Sequence, residues 1–388
     1  MKREKIKRIA KRISALATAV AMAATFTFPA EIGDGFFDGF GNAIVASAAE
    51  IYNGSALDIS NGSIVINSDN ITQGSTSYTY SDGQMIIVTG TSTTNYISVN
   101  SGKTTDITLQ NASVGGSLAS NVAAVSITGS STANITLVGS NTLTGGYNAP
   151  GVFVAKDNTV SFTAASTGSL TASGNNQAPG IGASATAEGG HIIVNGGDIT
   201  VKAGGYTATN ALGSAFANCN KPAQSFTMTG GKVCAVPTKG FSSGFFGDNV
   251  STTAVTVSGD IIISGGIFIS QFETIQSHGT GIGGKLITTD SGNAVIWTKF
   301  GCYNGSAISD TSNKAEWHGV IIEGYTNAKV YGSNVTLPGD FTIETDVDGF
   351  DGDVVLEVPE GSTLVIPSGV KFLHLLRGQT TRTKIIYS

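Results

Sequence analysis

The chain reads as all-β, wound into a parallel β-helix, a solenoid of stacked coils. Three observations predict this. First, a strand–Gly-Gly–strand unit returns along the chain. Ile192-Ile193-Val194 and Ile199-Thr200-Val201 flank Asn195-Gly196-Gly197-Asp198, and altered copies stand at Phe226–Val236 and Ile261–Ile269. Their Gly pairs begin at 196, 230 and 265, which gives one step of 34 residues (230 − 196) and one of 35 (265 − 230). A near-constant step of this size marks stacked units. Second, a small-residue loop recurs with them, as Ala149-Pro150-Gly151-Val152, Pro179-Gly180-Ile181-Gly182 and Gly279-Thr280-Gly281-Ile282-Gly283. Third, the vocabulary is that of strands and turns. Gly supplies 52 of 388 residues, charged residues only 12%, and β-branched residues alternate with Ser, Thr and Asn.

Residues 1–48 read as a secretory signal peptide and are set apart from the fold. Lys2, Arg3, Lys5, Lys7, Arg8, Lys11 and Arg12 form a basic n-region, and the apolar run from Ile13 to Phe28 follows it. Ala46-Ser47-Ala48 offers a cleavage site before Ala49. The competing reading is a membrane anchor, for which the run is short. Cleavage would remove seven of 21 basic residues, and Glu4, Glu31, Asp34 and Asp38 of 27 acidic ones. A chain with 14 basic and 23 acidic residues, net about −9, repels the phosphate backbone, so no nucleic-acid partner is expected. The membrane is expected to matter only through the signal during export.

Residues 49–300 read as the β-helix itself. Strand phrases follow one another at Leu57–Ile59, Ile64–Ile66, Ile86–Val88, Ile97–Val99, Ile107–Leu109, Val125–Ile127, Ile135–Leu137, Val152–Val154 and Val160–Phe162. Each is short and bounded by Gly, Ser, Asn or Thr, and no window shows a helical period. A sandwich or a barrel also uses many short strands. The fixed Gly-Gly step and the absence of long alternating segments favour the solenoid. The inward residues are expected to include Ile193, Val201, Val233, Ile262 and Phe268.

Residues 301–373 read as further β coils or a cap. Strand phrases resume at Val335–Ile343 and Val354–Val370. Residues 374–388 form a basic tail that lacks the pattern, as a truncation or a shifted reading frame would produce. Leu337-Pro338-Gly339-Asp340 is not an LPxTG sorting signal.

The phrases GTSTTNYISVNSGKTTDITLQNASV (90–114) and APGIGASATAEGGHIIVNGGDITVKAGG (178–205) resemble exported surface proteins of Gram-positive bacteria that carry Gly-rich right-handed parallel β-helices. They are similar in style to a clostridial carbohydrate-binding β-helix family, itself related in fold to pectate lyases. The resemblance covers about 57–300. It implies a pectin-lyase-like, right-handed β-helix, secreted or at the cell surface, that binds polysaccharide or host glycan.

Three cysteines, Cys219, Cys234 and Cys302, lack the spacing of a zinc site. Cys219 and Cys234 could meet on adjacent strands, or all three could be buried thiols. The four histidines are scattered, and no H-E-x-x-H, G-x-S-x-G or P-loop motif occurs. A pectate-lyase-like site uses clustered Asp for calcium and an Arg or Lys base, yet residues 57–300 contain no Arg. The expected function is therefore non-enzymatic binding of a polysaccharide or glycan, as an adhesin. The alternatives are a structural stalk without its own ligand and a polysaccharide lyase.

Two candidate sites emerge. Trp297, Tyr303, Glu316, Trp317 and His318 are expected to form a sugar platform. The two indoles stand 20 positions apart (317 − 297), near one coil, which would place them on neighbouring rungs. The other reading of this cluster is core packing where the helix is capped. Asp346, Asp348, Asp351 and Asp353 alternate with Gly in a turn, as a calcium site does, although without the EF-hand spacing. The competing reading there is a solvated acidic turn.

Overall fold

The computed structural model describes residues 50–176, 178–184, 187–204, 222–236, 252–271, 279–289, 293–299, 308–323 and 327–336, with short strands at 342–343, 355–357, 363–366, 371–372 and 384–387. It is a parallel β-solenoid of about 7 turns. Each of the central coils carries three strands. In one coil they are Val125–Ile127, Thr132–Val138 and Ser140–Thr144. In the next they are Val152–Val154, Thr159–Phe162 and Ser169–Ser173, and in the third Ile181–Gly182, His191–Val194 and Asp198–Lys202. Corresponding strands pair in parallel from coil to coil, so the solenoid has three faces. Backbone hydrogen bonds along the stack satisfy the polar groups of each strand.

Alternate side chains point inward and line up in columns. On the first face Ile66, Val99, Ile127 and Val154 are successive partners, and each is fully buried. On the second face Ile135, Phe162, Val194, Met228 and Ile263 form the column. On the third it is Leu170, Ile199, Val233, Phe268, Ile296 and Ile321. Phe226 and Phe268 meet edge to face, 5.9 Å apart, where the second and third faces converge. Burying such a side chain stabilises the fold by about 1.5–3 kcal/mol. One inward-turned polar side chain shows how such a group is satisfied. Asn141, 2% exposed, accepts from the Ala112 amide at 2.9 Å and donates to the carbonyls of Val138 and Ser169.

Val201, Val233 and Phe268 point inward as expected, but Ile193 and Ile262 do not. Their neighbours Ile192, Ile261 and Ile263 are the buried residues, and Ile193 stands on the outer face between Ser161 and Thr227. An uninterrupted apolar run has no alternation to show its inward side, and a slip of one residue inverts a strand.

Both ends of the parallel stack are closed by a change of direction. At the start, Ile64–Asn67, Asn70–Gln73 and Thr76–Thr79 form an antiparallel meander that continues the first face. Tyr52, 3% exposed, lies against this end and donates its hydroxyl to the Ser55 carbonyl at 2.8 Å. At the other end Gly319–Glu323 turns back on itself and pairs antiparallel with Asn327–Tyr331. Beyond that hairpin, parallel pairing resumes. Asn334–Thr336 pairs with Thr363–Ile366, which in turn pairs with Lys384–Tyr387. The tail expected to lack the pattern thus contributes a strand. Cys234 stands on the third face between Thr200 and Ile269. Cys219 and Cys302 lie outside the described residues.

Candidate functional site

A groove of about 420 Å³ runs over the outside of the first face. Its floor follows from the alternation of the strands. Where Val125, Ile127, Val152 and Val154 point inward, Ser126 and Phe153 must point out. They are ladder partners, preceded by Ser98 and followed by Gly182. Ser126 donates its hydroxyl to that of Ser98 at 3.3 Å. Phe153 is half-buried, and the phenol of Tyr96 lines the groove at the coil below.

One wall is formed by two corner loops, those of Asn121 and Asn148, with a third stacked beyond them. Each loop reaches its tip at an asparagine in the left-handed region: Asn121 at φ +63°, Asn148 at +61° and Asn176 at +55°. Asn is the non-glycine residue best suited to that backbone. Backbone bonds join the loops, from Asn121 to the Tyr147 carbonyl at 2.7 Å and from Asn175 to the Ala149 carbonyl at 3.1 Å. The loops at Asn148 and Asn176 also fold back on themselves without side-chain bulk. A Cβ on Gly145 would stand 2.1 Å from the Ala149 carbonyl, and one on Gly174 2.1 Å from that of Ala178. Pro150 follows Ala149 and lines the groove beside Asn148, Val122 and Ala123.

The opposite wall comes from a longer coil. Thr132 pairs with Thr159, 27 positions on, but Thr159 pairs with His191, 32 on. Of the five additional residues, three lie between the first and second faces, where Ile181 to His191 spans ten positions against seven from Val152 to Thr159, and two lie between Thr159 and Ser169. The Ala187 amide donates to the Ser184 hydroxyl at 3.0 Å, the Ser184 amide donates to the Ala187 carbonyl at 3.1 Å, and both residues line the groove. Lys156 and Glu188 form an ion pair of 3.0 Å across the base of this loop.

The expected sugar platform is placed elsewhere. Trp297 and Trp317 are 1% and 2% exposed, so neither indole opens a face to solvent. The rungs pair Trp297 with Ile322, not with Trp317, because the coil here is 25 residues long (322 − 297) rather than 20. Trp317 belongs to the core. It donates Nε1–H to the Leu286 carbonyl at 3.1 Å and meets the Tyr331 ring edge to face at 5.4 Å. His318 is 7% exposed, with its backbone amide on the Thr288 hydroxyl at 2.6 Å. Glu316 is exposed, in a short 3-10 turn. Of the two readings of this cluster, the burial is that of a cap. Tyr303 and the aspartates at 346, 348, 351 and 353 lie outside the described residues. Among the described residues, no three His, Cys, Asp or Glu side chains gather as a metal site would require.

The chain is a parallel β-solenoid with a lateral groove whose described lining residues carry no charge. Comparison with protein-family models, with curated proteins and with solved structures finds no match to this chain. Among the described residues, no helix is long and apolar enough to cross a membrane.

Proposed function

We propose that this protein binds a polysaccharide or glycan along the groove of its first face. In this reading it is a secreted or cell-surface β-helix of the kind exported by Gram-positive bacteria, acting as an adhesin or carbohydrate-binding protein rather than as an enzyme. One observation carries the reading. The groove combines the aromatic rings of Phe153 and Tyr96 with the amides of Asn121 and Asn148 and the hydroxyls of Ser126 and Ser184. A pyranose ring presents apolar C–H faces and a hydroxyl rim. Aromatic faces stack on the first. Amides, which both donate and accept, match the second. Among the described residues, no carboxylate, Lys or Arg lines the groove, whereas a polysaccharide lyase would bring acidic ligands and a base.

The test is a glycan array with residues 49–388, followed by titration calorimetry on whatever binds. Retention of a polysaccharide that is weakened by Phe153→Ala, with thermal stability unchanged, supports the assignment. A protein that retains no glycan in any format would instead fit the stalk.

A further inference from the structure

We infer that the groove selects a neutral polysaccharide and disfavours polymers carrying uronate or sulfate groups. This rests on the groove being a glycan site.

Among the described residues the lining consists of amides, hydroxyls, two aromatic rings, and the small apolar residues Val122, Ala123, Pro150 and Ala187. The cation beside it, Lys156, is already paired. Glu188, next in the chain to Ala187, pairs with Lys156 at 3.0 Å. Asp157 adds a further carboxylate here; it accepts from the Gln224 side-chain amide at 2.8 Å, and its backbone amide donates to the Gln224 side-chain oxygen at 2.7 Å. An anionic polymer laid here would meet no cation among the described lining residues. Each carboxylate or sulfate brought into the groove would lose hydration without a compensating charge. The chain as a whole carries a net charge of −6, so no long-range field draws a polyanion in.

A neutral chain meets the opposite situation. Its hydroxyls exchange water for the side chains of Asn121, Ser126, Asn148 and Ser184. The Asn148 carbonyl oxygen already accepts from Asn176, which leaves its NH2 hydrogens for a ligand. The polymer's direction also follows. Ser126 and Phe153 stand on adjacent rungs, and Tyr96 and Ser184 line the groove from the coil on either side, so the lining spans three ladder steps of about 4.8 Å, or roughly 14 Å in all. That length suits several consecutive sugar rings lying along the solenoid axis.

The experiment uses residues 49–388 in affinity electrophoresis and calorimetry. The probes are a neutral β-glucan, a mannan, polygalacturonate and a sulfated glycosaminoglycan, each at low and at high salt. The expected result is binding of a neutral polymer, with Kd changing less than about twofold with salt, since no ion pair is screened. Phe153→Ala should weaken it about tenfold at an unchanged melting temperature. A second variant tests the selectivity directly. Ser126→Lys places a cation on the floor and should admit polygalacturonate in a salt-sensitive manner. Binding of acidic polymers alone, lost in Phe153→Ala, would keep the groove as the glycan site and overturn its neutral selectivity. Binding of any polymer that is indifferent to both Phe153→Ala and Ser126→Lys would overturn the groove itself. So would the absence of binding to all four probes.

Discussion

Asn176 donates a side-chain hydrogen bond to the side-chain carbonyl of Asn148, one coil away, and both residues hold the left-handed backbone. The pair ties two corner loops together at the wall of the groove. Asn176 is 5% exposed, so its amide depends on this acceptor. Substitution separates the two roles of Asn148. Asn148→Gly keeps the backbone but leaves the Asn176 amide without this acceptor, at a cost of about 1 kcal/mol. Asn148→Ala should lose about 1 kcal/mol more, because a Cβ is strained at positive φ. Urea denaturation of the two variants measures the difference. Equal stabilities would mean that the backbone at this corner relaxes.

Ile192 and Ile193 are neighbours in sequence with opposite surroundings. Ile192 is fully buried and Ile193 is partly exposed between Ser161 and Thr227. Ile192→Asp places an unpaired carboxylate in the core and should unfold several coils. Ile193→Asp should leave a cooperative transition and cost about 1 kcal/mol or less. Thermal melting followed by circular dichroism distinguishes them, and a reversed order would mean that the strand is slipped by one residue.

Trp317→Ala removes a buried indole, its hydrogen bond to Leu286 and its contact with Tyr331. The expected loss is about 3–5 kcal/mol of stability. Glycan affinity per folded molecule should not change, since the groove lies on another face several coils away. A stable variant with weakened binding would return the 297–331 cluster to the role of sugar platform.

Burial raises the pKa of the Tyr52 phenol above its ordinary value of 10.0, partly offset by the Ile87 amide, which donates to the phenolic oxygen at 3.1 Å. The unfolded chain therefore ionises first as pH rises. The stabilisation is fully present below pH 10.0 and is lost as pH climbs through the raised folded value. Tyr52→Phe should weaken the N-terminal end by about 1 kcal/mol, through the lost bonds to Ser55 and Ile87. It should also flatten the part of the alkaline stability loss that belongs to this residue. Urea midpoints at neutral pH and above pH 10 would show it, and an identical pH slope in both proteins would discount Tyr52 as the titrating group.

The architecture was legible because solenoid physics repeats itself in sequence. The Gly pairs at 196, 230 and 265 mark the turns between the second and third faces, and the Ala-Pro-Gly loops at 149 and 178 mark the corners before the first. Strand orientation was less legible where Ile follows Ile, since Ile192-Ile193-Val194 and Ile261-Ile262-Ile263 carry no alternation. The groove was missed for a different reason. Tyr96, Asn121, Phe153 and Ser184 belong to separate coils, and only the winding brings them together. A signal was nevertheless present. Asn121, Asn148 and Asn176 recur at 27 (148 − 121) and 28 (176 − 148), the length of one coil in that region. Trp297 and Trp317 drew attention as a platform but are buried, because large aromatic rings serve cores as readily as ligands.

The corner between the first and second faces is four residues long at 155–158 and eight at 183–190, yet the rungs on either side keep their register. Axial order here does not depend on how much chain passes between rungs. Insertions can accumulate at one corner while the inward columns stay untouched, so a lineage can trade one recognition surface for another without refolding its scaffold. What changes is the height and chemistry of a wall, and the hydrophobic interior need not register the event.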